Sequence, residues 1–334
     1  MLSVLLVGFH GQLYAEEPLV SAAAIDASIQ KSLPYIEERG NWWIEKKECM
    51  SCHRVAFTAW SHVEAIHAGG KGDEEKVNGW IDWCLDNLFE PIAEKDRKYE
   101  GELTIDRNLS GAAQMLALAK NWNSTAEQKE FHLKIVAKLK ERQMKDGKWD
   151  PKGQLPGQKR DLLETTHVIT LWNALALINV AKQDHVKAAD VDGVIQAAAK
   201  FVKGYNAGTS SEWLALRALF AAERQDPKYS DLYLKKLISS QNEDGGWGWH
   251  AGGESDALAT GQVLYALIEM GHDVQSPEIQ KTVKYLLANQ APSGVWKTKG
   301  TKKKAKDRFT ETSNYWGTTW AVIGLSKVQS VAAR

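Results

Sequence analysis

Apolar residues recur along the chain in two kinds of segment that alternate, and both have the three-to-four-residue spacing of an α-helix. In the first kind, such as residues 131–139, one face is apolar and the other is charged, which predicts a helix with one side in solvent. In the second kind, such as residues 168–177, nearly every position is apolar, which predicts a helix buried on all sides. Strand-like alternation is nearly absent, so the pattern predicts an all-α protein.

Three copies of one motif, Q-x3-G-x-W, separate these segments and begin at Gln143, Gln241 and Gln290. The last two begin 49 residues apart and the first two 98 residues apart, which is twice that period. A fixed period of this size indicates a repeat architecture. We expect each glycine to take a left-handed conformation at a helix end. We expect each tryptophan ring to cover the end of the inner helix, and each glutamine to bond free backbone groups at helix termini.

Degraded copies of the same unit complete a series of six helix pairs. The predicted pairs are 24–38 with 55–68, 77–92 with 109–118, 131–139 with 168–177, 195–202 with 213–220, 232–238 with 257–267, and 283–287 with 318–325. In the first pair the turn is expected at Gly40 and Trp43. An inner and an outer ring of six helices each form a closed α6/α6 toroid, because closure buries every apolar face without special capping repeats.

The pentapeptide at residues 49–53 reads Cys-Met-Ser-Cys-His, which is the C-x-x-C-H attachment sequence for a c-type haem. Two thiols about one helical turn apart reach the two vinyl groups of one haem, and His53 is then placed to bind the iron as proximal ligand. Two of the three cysteines of the chain fall in this pentapeptide. We therefore predict covalent haem c on Cys49 and Cys52, with His53 as the iron ligand, at the head of the first inner helix.

Two other uses of the cysteine pair remain open. A redox dithiol or structural disulfide is one, although the dithiol motif normally follows a strand in a βαβ unit. A zinc site is the other, but zinc needs four ligands and the remaining Cys84 stands alone.

The sixth ligand of such a haem would decide its chemistry. A distal histidine or methionine favours electron transfer, whereas an open position favours small-ligand or peroxide chemistry. The distal candidates are His167, which begins an inner helix and should face the cavity mouth, His250, which follows a motif tryptophan, and Met144. Each of the three has an ordinary surface or core position as its alternative.

Composition and charge restrict the cellular setting. The chain has 334 residues, a net charge of zero and an isoelectric point near 7.1, which favour neither nucleic acid nor an anionic membrane as partner. Residues 1–15 read as a signal peptide cleaved after Ala15, leaving 16–334 as a single toroid. Export to a bacterial periplasm agrees with haem attachment outside the cytoplasm, and no other apolar run approaches the length of a membrane span.

A basic loop at residues 297–308 carries most of the local charge near the C-terminus. Its glycine and lysines predict a solvated, mobile insertion. The same charge suits docking of an acidic redox partner protein by electrostatic steering.

The Q-x3-G-x-W turns, most closely the Q-N-E-D-G-G-W-G at residues 241–248, resemble the QW repeats of the squalene-hopene cyclase and prenyltransferase superfamily. The resemblance covers roughly residues 24–328 and implies an α/α toroid. It also implies a second function, either a terpenoid-cyclase or prenyltransferase-like enzyme or a non-catalytic toroid that binds an isoprenoid or another lipid. Together with the C-x-x-C-H motif, the chain resembles exported bacterial squalene-cyclase-like proteins with a cytochrome c signature.

Two catalytic features of that superfamily are missing from the sequence. The acidic D-x-D-D motif of the cyclases does not occur, and residues 190–193, Asp-Val-Asp-Gly, are the nearest approach. Asp256 stands where the prenyltransferases place a zinc-binding aspartate, but no cysteine follows Cys84. The resemblance therefore implies the fold more firmly than a reaction.

Overall fold

The computed structural model of the protein describes residues 19–92, 101–153, 155–305 and 307–332, and for Cys52 and His53 it describes the backbone. The predicted signal peptide at residues 1–15 lies outside these ranges. The α-helices are α1 (Ala22–Lys47), α2 (Ala56–His67), α3 (Glu74–Phe89), α4 (Thr104–Arg107), α5 (Leu109–Leu118), α6 (Ala126–Arg142), α7 (Leu162–Val180), α8 (Ala188–Lys203), α9 (Ser211–Glu223), α10 (Pro227–Ser239), α11 (Ala257–Glu269), α12 (Pro277–Ala288) and α13 (Glu311–Ala332). In the described ranges, β-structure is limited to isolated bridges. The all-α prediction is confirmed.

The long helices form two concentric rings. Helices α2, α5, α7, α9, α11 and α13 form the inner ring, in which each packs on the next and α13 returns to pack on α2. The amphipathic helices α1, α3, α6, α8, α10 and α12 lie outside them. This arrangement confirms the predicted α6/α6 toroid and, apart from end positions, the predicted helix pairs.

The motif turns join each repeat to the next. The three indole Nε1 groups donate to carbonyls in the last turn of the preceding outer helix: Trp149 to Leu139 at 2.9 Å, Trp247 to Leu237 at 2.9 Å and Trp296 to Leu286 at 2.8 Å. The three glutamine amides donate to carbonyls of the following outer helix: Gln143 to Val194 at 2.9 Å, Gln241 to Glu278 at 2.9 Å and Gln290 to Ser28 at 2.8 Å. The tryptophan therefore caps an outer helix rather than an inner one, and the last glutamine closes the ring onto α1.

The motif glycines have two reasons to be glycine. Gly147, Gly245 and Gly294 have φ values of +91°, +89° and +82°, which confirms the predicted left-handed conformation. Each also lies against the backbone of the next outer helix, so that a Cβ built on Gly245 would lie 2.5 Å from the Lys281 carbonyl oxygen. The turn thus needs glycine for its own conformation and for the approach of its neighbour.

The turn predicted at Gly40 and Trp43 is wrong. Helix α1 continues through both residues to Lys47, and the chain first leaves helical geometry at Glu48, whose φ is 50°. Gly40 is instead a contact point inside the helix, because a Cβ there would lie 2.9 Å from Thr58 Cγ2 on α2.

A buried charge network closes the toroid at the C-terminal ends of the inner helices. Lys327 Nζ lies 2.8 Å from Glu64 Oε2 and 2.8 Å from Glu269 Oε1, and the side-chain exposures of the three are 6%, 2% and 8%. Lys120 also pairs with Glu269, and the Trp60 indole donates to Glu64 at 3.0 Å. The network ties α2, α11 and α13 together beneath the centre of the ring.

Within the described ranges, no helix combines the length and the apolar character that crossing a membrane would require.

Candidate functional site

The C-x-x-C-H motif lies at the head of inner helix α2, as predicted. One π-helical turn, Ser51–Val55, leads directly into that helix. The backbone ahead of it is anchored on two sides, because Trp43 Nε1 donates to the Cys49 carbonyl at 2.9 Å and Met50 N donates to Asn87 Oδ1 at 2.7 Å. Cys49 is exposed, so a reactive group can reach this end of the motif from solvent.

Arg54, the residue after the motif, fixes the turn to the last helix of the ring. Its fully buried guanidinium lies 4.9 Å from the Trp43 ring centre and 4.4 Å from that of Tyr315. It forms an ion pair with Glu311, the first residue of α13, which Arg39 contacts at 2.9 Å. Burial works to raise the pKa of Glu311, but the hydrogen bonds and charges of Arg54 and Arg39 hold it below its usual value.

A central cavity of about 390 Å³ lies at the same end of the toroid as the motif. Its walls are the N-terminal halves of inner helices and the loops that lead into them. Trp43 belongs to both places, because it lines the cavity and holds the Cys49 carbonyl. The lining residues used below are Phe57, Trp60, Gln158, Arg160, Trp172, Glu212, Lys302, Lys304 and Trp320.

Stacked and edge-on aromatic rings form the floor of the cavity. The ring centre of Trp320 lies 5.3 Å from that of Trp60, 5.4 Å from that of Phe57 and 5.7 Å from that of Trp172. Tyr265 packs beneath them, 5.8 Å from Trp320. These rings separate the cavity from the buried charge network, so the toroid is open at one end and filled at the other.

A buried ion pair stands in the cavity wall. Arg160 Nη1 lies 2.6 Å from Glu212 Oε2, and the two side chains are 2% and 5% exposed. The other oxygen, Glu212 Oε1, accepts from Trp172 Nε1 at 2.9 Å and from Gln262 Nε2 at 3.3 Å. The carboxylate thus accepts hydrogen bonds from a cation and two neutral donors.

The basic loop forms one side of the mouth, which contradicts the prediction of a mobile insertion. Its Thr301 carbonyl accepts from Lys159 N at 2.8 Å, and Lys159 also pairs with Asp307. Thr298 and Thr301 are buried. The loop is held because its backbone pairs with the segment before α7, an interaction between distant repeats that local composition does not reveal.

The three predicted distal ligands lie away from the motif, in later repeats. His167 stacks on Phe201 and Tyr205 between α7 and α8, with ring centres 4.4 Å and 4.6 Å away. The Nδ1 atom of His250 lies 3.2 Å from Thr209 Oγ1, and Met144 stands 43% exposed in its turn. In the described part of the chain, each of the three has a neighbouring partner or is exposed to solvent. None of the described contacts joins any of them to residues 49–53.

Burial makes His167 a source of acid sensitivity. Desolvation, with a smaller contribution from the Arg217 charge, lowers the pKa of His167 to about 4. Below about pH 6.5, the ordinary pKa of histidine, His167 takes up a proton in the unfolded chain but not in the folded protein. The contribution of neutral His167 to the free energy of unfolding is therefore fully present above that pH and declines as the pH falls toward about 4.

Replacing His167 with phenylalanine should keep the ring stack and remove this proton uptake. Between pH 7 and pH 5.5 the variant should lose about 1 kcal/mol less unfolding free energy than the wild type. Urea unfolding at both pH values measures the difference, and equal losses in the two proteins would contradict this role of His167.

Asp256, the counterpart of a prenyltransferase zinc ligand, acts here as a helix cap. Its Oδ1 accepts from Ala259 N at 2.9 Å at the start of α11, and burial raises its pKa to about 6. Among the side chains that the structure describes, no three His, Cys, Asp or Glu groups converge to hold a metal ion. The described part of the chain therefore offers no zinc site of the prenyltransferase kind.

Sequence reasoning missed the wall residues of the cavity. Gln158, Arg160 and Lys304 come from loops without a motif, and only the fold brings them into one cavity lining with Glu212. One signal was present, because Glu212 is an acidic residue at the start of an otherwise apolar inner helix. A buried carboxylate of this kind needs a cationic partner. An arginine in a loop, such as Arg160, could therefore have been predicted as that partner.

A family model described as the squalene-hopene cyclase N-terminal domain matches residues 204–299. A segment of 66 residues is 41% identical to part of an alpha-2-macroglobulin of Thermotoga maritima, and this match covers 19% of the chain and 4% of that protein. Both matches concern only part of the chain.

Solved structures share the fold over nearly its whole length. A possible GH105 family member from Salmonella enterica serovar Paratyphi A has a TM-score of 0.60 and 13% identity, covering 98% of this chain and 100% of that one. Its counterpart from Klebsiella pneumoniae has a TM-score of 0.60 and 14% identity, covering 99% and 100%. A polysaccharide lyase has a TM-score of 0.59 and 11% identity, covering 94% and 99%. At these identities the likeness concerns the α/α toroid alone.

Proposed function

We propose that this protein is a c-type haem protein, with the haem attached through Cys49 and Cys52 at the mouth of the toroid and His53 as iron ligand. The observation that carries the proposal is that C-x-x-C-H begins an inner helix beside the cavity, with Cys49 exposed. A haem bound there supplies one-electron redox chemistry at its iron, so the proposed activity is electron transfer or haem redox chemistry.

The residues around the motif fit a covalently held cofactor. An exposed thiol is accessible for attachment, and hydrogen bonds from Trp43 and to Asn87 hold the backbone on both sides of it. The buried Arg54 fixes the turn to α13 through Glu311. Such outer contacts orient ligands and tune a site, and here they would keep His53 at a constant position relative to the cavity.

The setting of the proposed cofactor follows from its chemistry. Attachment of c-type haem takes place outside the bacterial cytoplasm, so we propose an exported, periplasmic protein. Because Cys49 is exposed, a haem attached there would be accessible to a redox partner protein.

The alternative of an isoprenoid cyclase finds less support in the cavity. Protonation of a polyene needs a carboxylic acid, whereas Glu212, the one carboxylate that the structure describes in the lining, is ion-paired with Arg160. Some structural neighbours are glycosidases, and glycoside hydrolysis commonly uses two carboxylates. The same lone carboxylate argues against that reaction here.

The haem proposal is tested by absorption spectroscopy after production in a bacterial periplasm with the cytochrome c maturation system. We expect a haem spectrum that remains with the wild-type chain after denaturation, because the attachment is covalent. The variant Cys49→Ala/Cys52→Ala should lose all of it.

Cys84→Ala is the matched control, because this third thiol is fully buried in α3. Its haem content should equal that of the wild type. A colourless wild-type protein, or haem retained by the double variant, would overturn the proposal.

A further inference from the structure

We propose that the aromatic floor is a redox-active cluster, which gives one electron to an oxidised haem at the cysteine motif and holds the resulting radical on an indole ring. The cluster consists of Trp60, Trp172, Tyr265 and Trp320. All six distances between their ring centres lie between 5.3 and 6.5 Å. Electron tunnelling slows exponentially with the gap between two rings, so an electron vacancy on one of these rings can move rapidly over all four.

Helix α2 connects the motif to the cluster. Trp60 follows about two helical turns after His53, which corresponds to roughly 10 Å along the axis. The ring of Phe57 lies between these positions and stacks on Trp60, with centres 5.8 Å apart. Trp43 gives a second approach, because it donates to the Cys49 carbonyl and lines the same cavity as Trp60. An oxidant held by the motif is therefore a short distance from the cluster.

Two of the indoles have a base for the proton that oxidation releases. Loss of an electron makes an indole N–H strongly acidic, and a base within hydrogen-bond reach then accepts the proton. Trp60 Nε1 donates to Glu64 Oε1 at 3.0 Å. Trp172 Nε1 donates to Glu212 Oε1 at 2.9 Å. Trp320 Nε1 is buried without a partner, so this ring can pass an electron vacancy on but has no base that would fix it there.

Burial separates the two remaining sites. Trp60 is only 1% exposed, whereas Trp172 is partly exposed and lines the cavity. A radical that is shielded from water and from dissolved reductants lasts longer than one at a surface. The radical on Trp60 is therefore the longer-lived of the two, and Trp172 is the second resting place.

The transfer is balanced in electrons and protons. One electron passes from Trp60 to a haem iron that a peroxide has oxidised, so the iron is reduced by one electron and the indole is oxidised by one. The indole N–H bond breaks, and its proton bonds to Glu64 Oε1. Because a peroxide takes up two electrons, a haem with a second electron donor beside it can reduce one peroxide in a single encounter. The natural oxidant in this step rests on the proposed haem.

A photochemical oxidant on Cys49 tests the cluster without haem. A ruthenium polypyridyl label is attached to Cys49 in the Cys52→Ala variant, where the fully buried Cys84 should not react. A laser flash with a soluble quencher oxidises the label by one electron. Transient absorption should show a long-lived neutral tryptophan radical, which forms more slowly in heavy water because an N–H bond breaks. Absence of this radical, or equal rates in both solvents, would overturn the proposal.

Matched variants locate the radical. Trp60→Phe and Trp172→Phe keep an aromatic ring and remove the indole N–H. Each should lower the yield of long-lived radical several-fold, and the double variant should abolish it. Trp172→Phe gives a second reading if Trp60→Phe fails to fold, because this ring is partly exposed.

Trp213→Phe is the control for loss of a buried indole. Trp213 is also 1% exposed and its Nε1 has no partner, but its ring neighbours are Tyr205 and Tyr233, outside the cluster. The control should keep the wild-type yield. An equal loss in Trp213→Phe and Trp60→Phe, or a wild-type yield in the double variant, would contradict the assignment.

The haem-loaded protein separates this inference from the haem proposal. After addition of peroxide, electron paramagnetic resonance should detect a tryptophan radical in the wild type and none in Trp60→Phe/Trp172→Phe, while absorption spectra show equal haem content in both. Haem uptake without a tryptophan radical would overturn this inference and not the haem proposal. If the chain takes up no haem, the haem proposal fails and the photochemical result decides this one.

Discussion

Replacement of Lys327 with methionine is expected to lower the free energy of unfolding by about 3–5 kcal/mol, the range found when one partner of a buried ion pair is removed. Methionine keeps most of the length of the side chain, which passes 5.6 Å from the Tyr265 ring, and removes the charge. Glu64 and Glu269 would then remain buried without the cation between them. Urea unfolding at pH 7 measures the change.

Lys182→Met is the matched control, because it removes an ion pair of similar geometry from the surface. Lys182 Nζ lies 2.6 Å from Glu223 Oε2, but the lysine side chain is 49% exposed. Exposed pairs contribute roughly 0–1 kcal/mol, so the control should unfold almost as the wild type does. Similar small effects in both variants would show that the buried network does not hold the inner ring closed.

Gly245→Ala is expected to be the second large destabilisation, by about 2–4 kcal/mol. The φ of +89° disfavours any residue with a Cβ, and the added methyl would lie 2.5 Å from the Lys281 carbonyl oxygen. The turn would have to move away from α12 and would weaken the Gln241 hydrogen bond to Glu278. Thermal and urea unfolding measure the loss.

Gly193→Ala supplies the control in a helix. Gly193 is exposed inside α8, and a Cβ there meets nothing within 4 Å. Alanine is favoured over glycine in helices by up to about 1 kcal/mol, so this variant should be as stable as the wild type or more so. A Gly245→Ala protein with wild-type stability would mean that the motif glycine is not required by the turn.

The two ends of the toroid have different tasks. At one end the inner helices begin, and their first turns hold the cysteine motif, the charged wall and the cavity mouth. At the other end Lys327 and its partners neutralise buried charge beneath the aromatic floor. Buried charge pairs can therefore stabilise the end where the ring is filled, and polar residues can line the end where it is open.

This division explains why sequence reasoning located one half of the site and not the other. The residues at 49–53 are contiguous, so their chemistry is readable without a fold. Arg160 and Glu212 are separated by 52 residues and carry no motif. Their 2.6 Å contact exists because the packing of α7 on α9 brings the loop before α7 to the first turn of α9.

The sequence by itself determined the repeat, the number of helix pairs, the all-α class and the place of Cys49 at the head of an inner helix. Periodicity and contiguous motifs are local properties of the sequence, so they can be recognised without knowing which residues pack against them. The tertiary structure alone decided that Gly40 is a helix contact, that the basic loop is a wall and that His167 is enclosed by Phe201 and Tyr205. Those contacts depend on which surfaces come together when the ring closes. Burial and charge pairing between distant repeats are therefore determined by the tertiary structure.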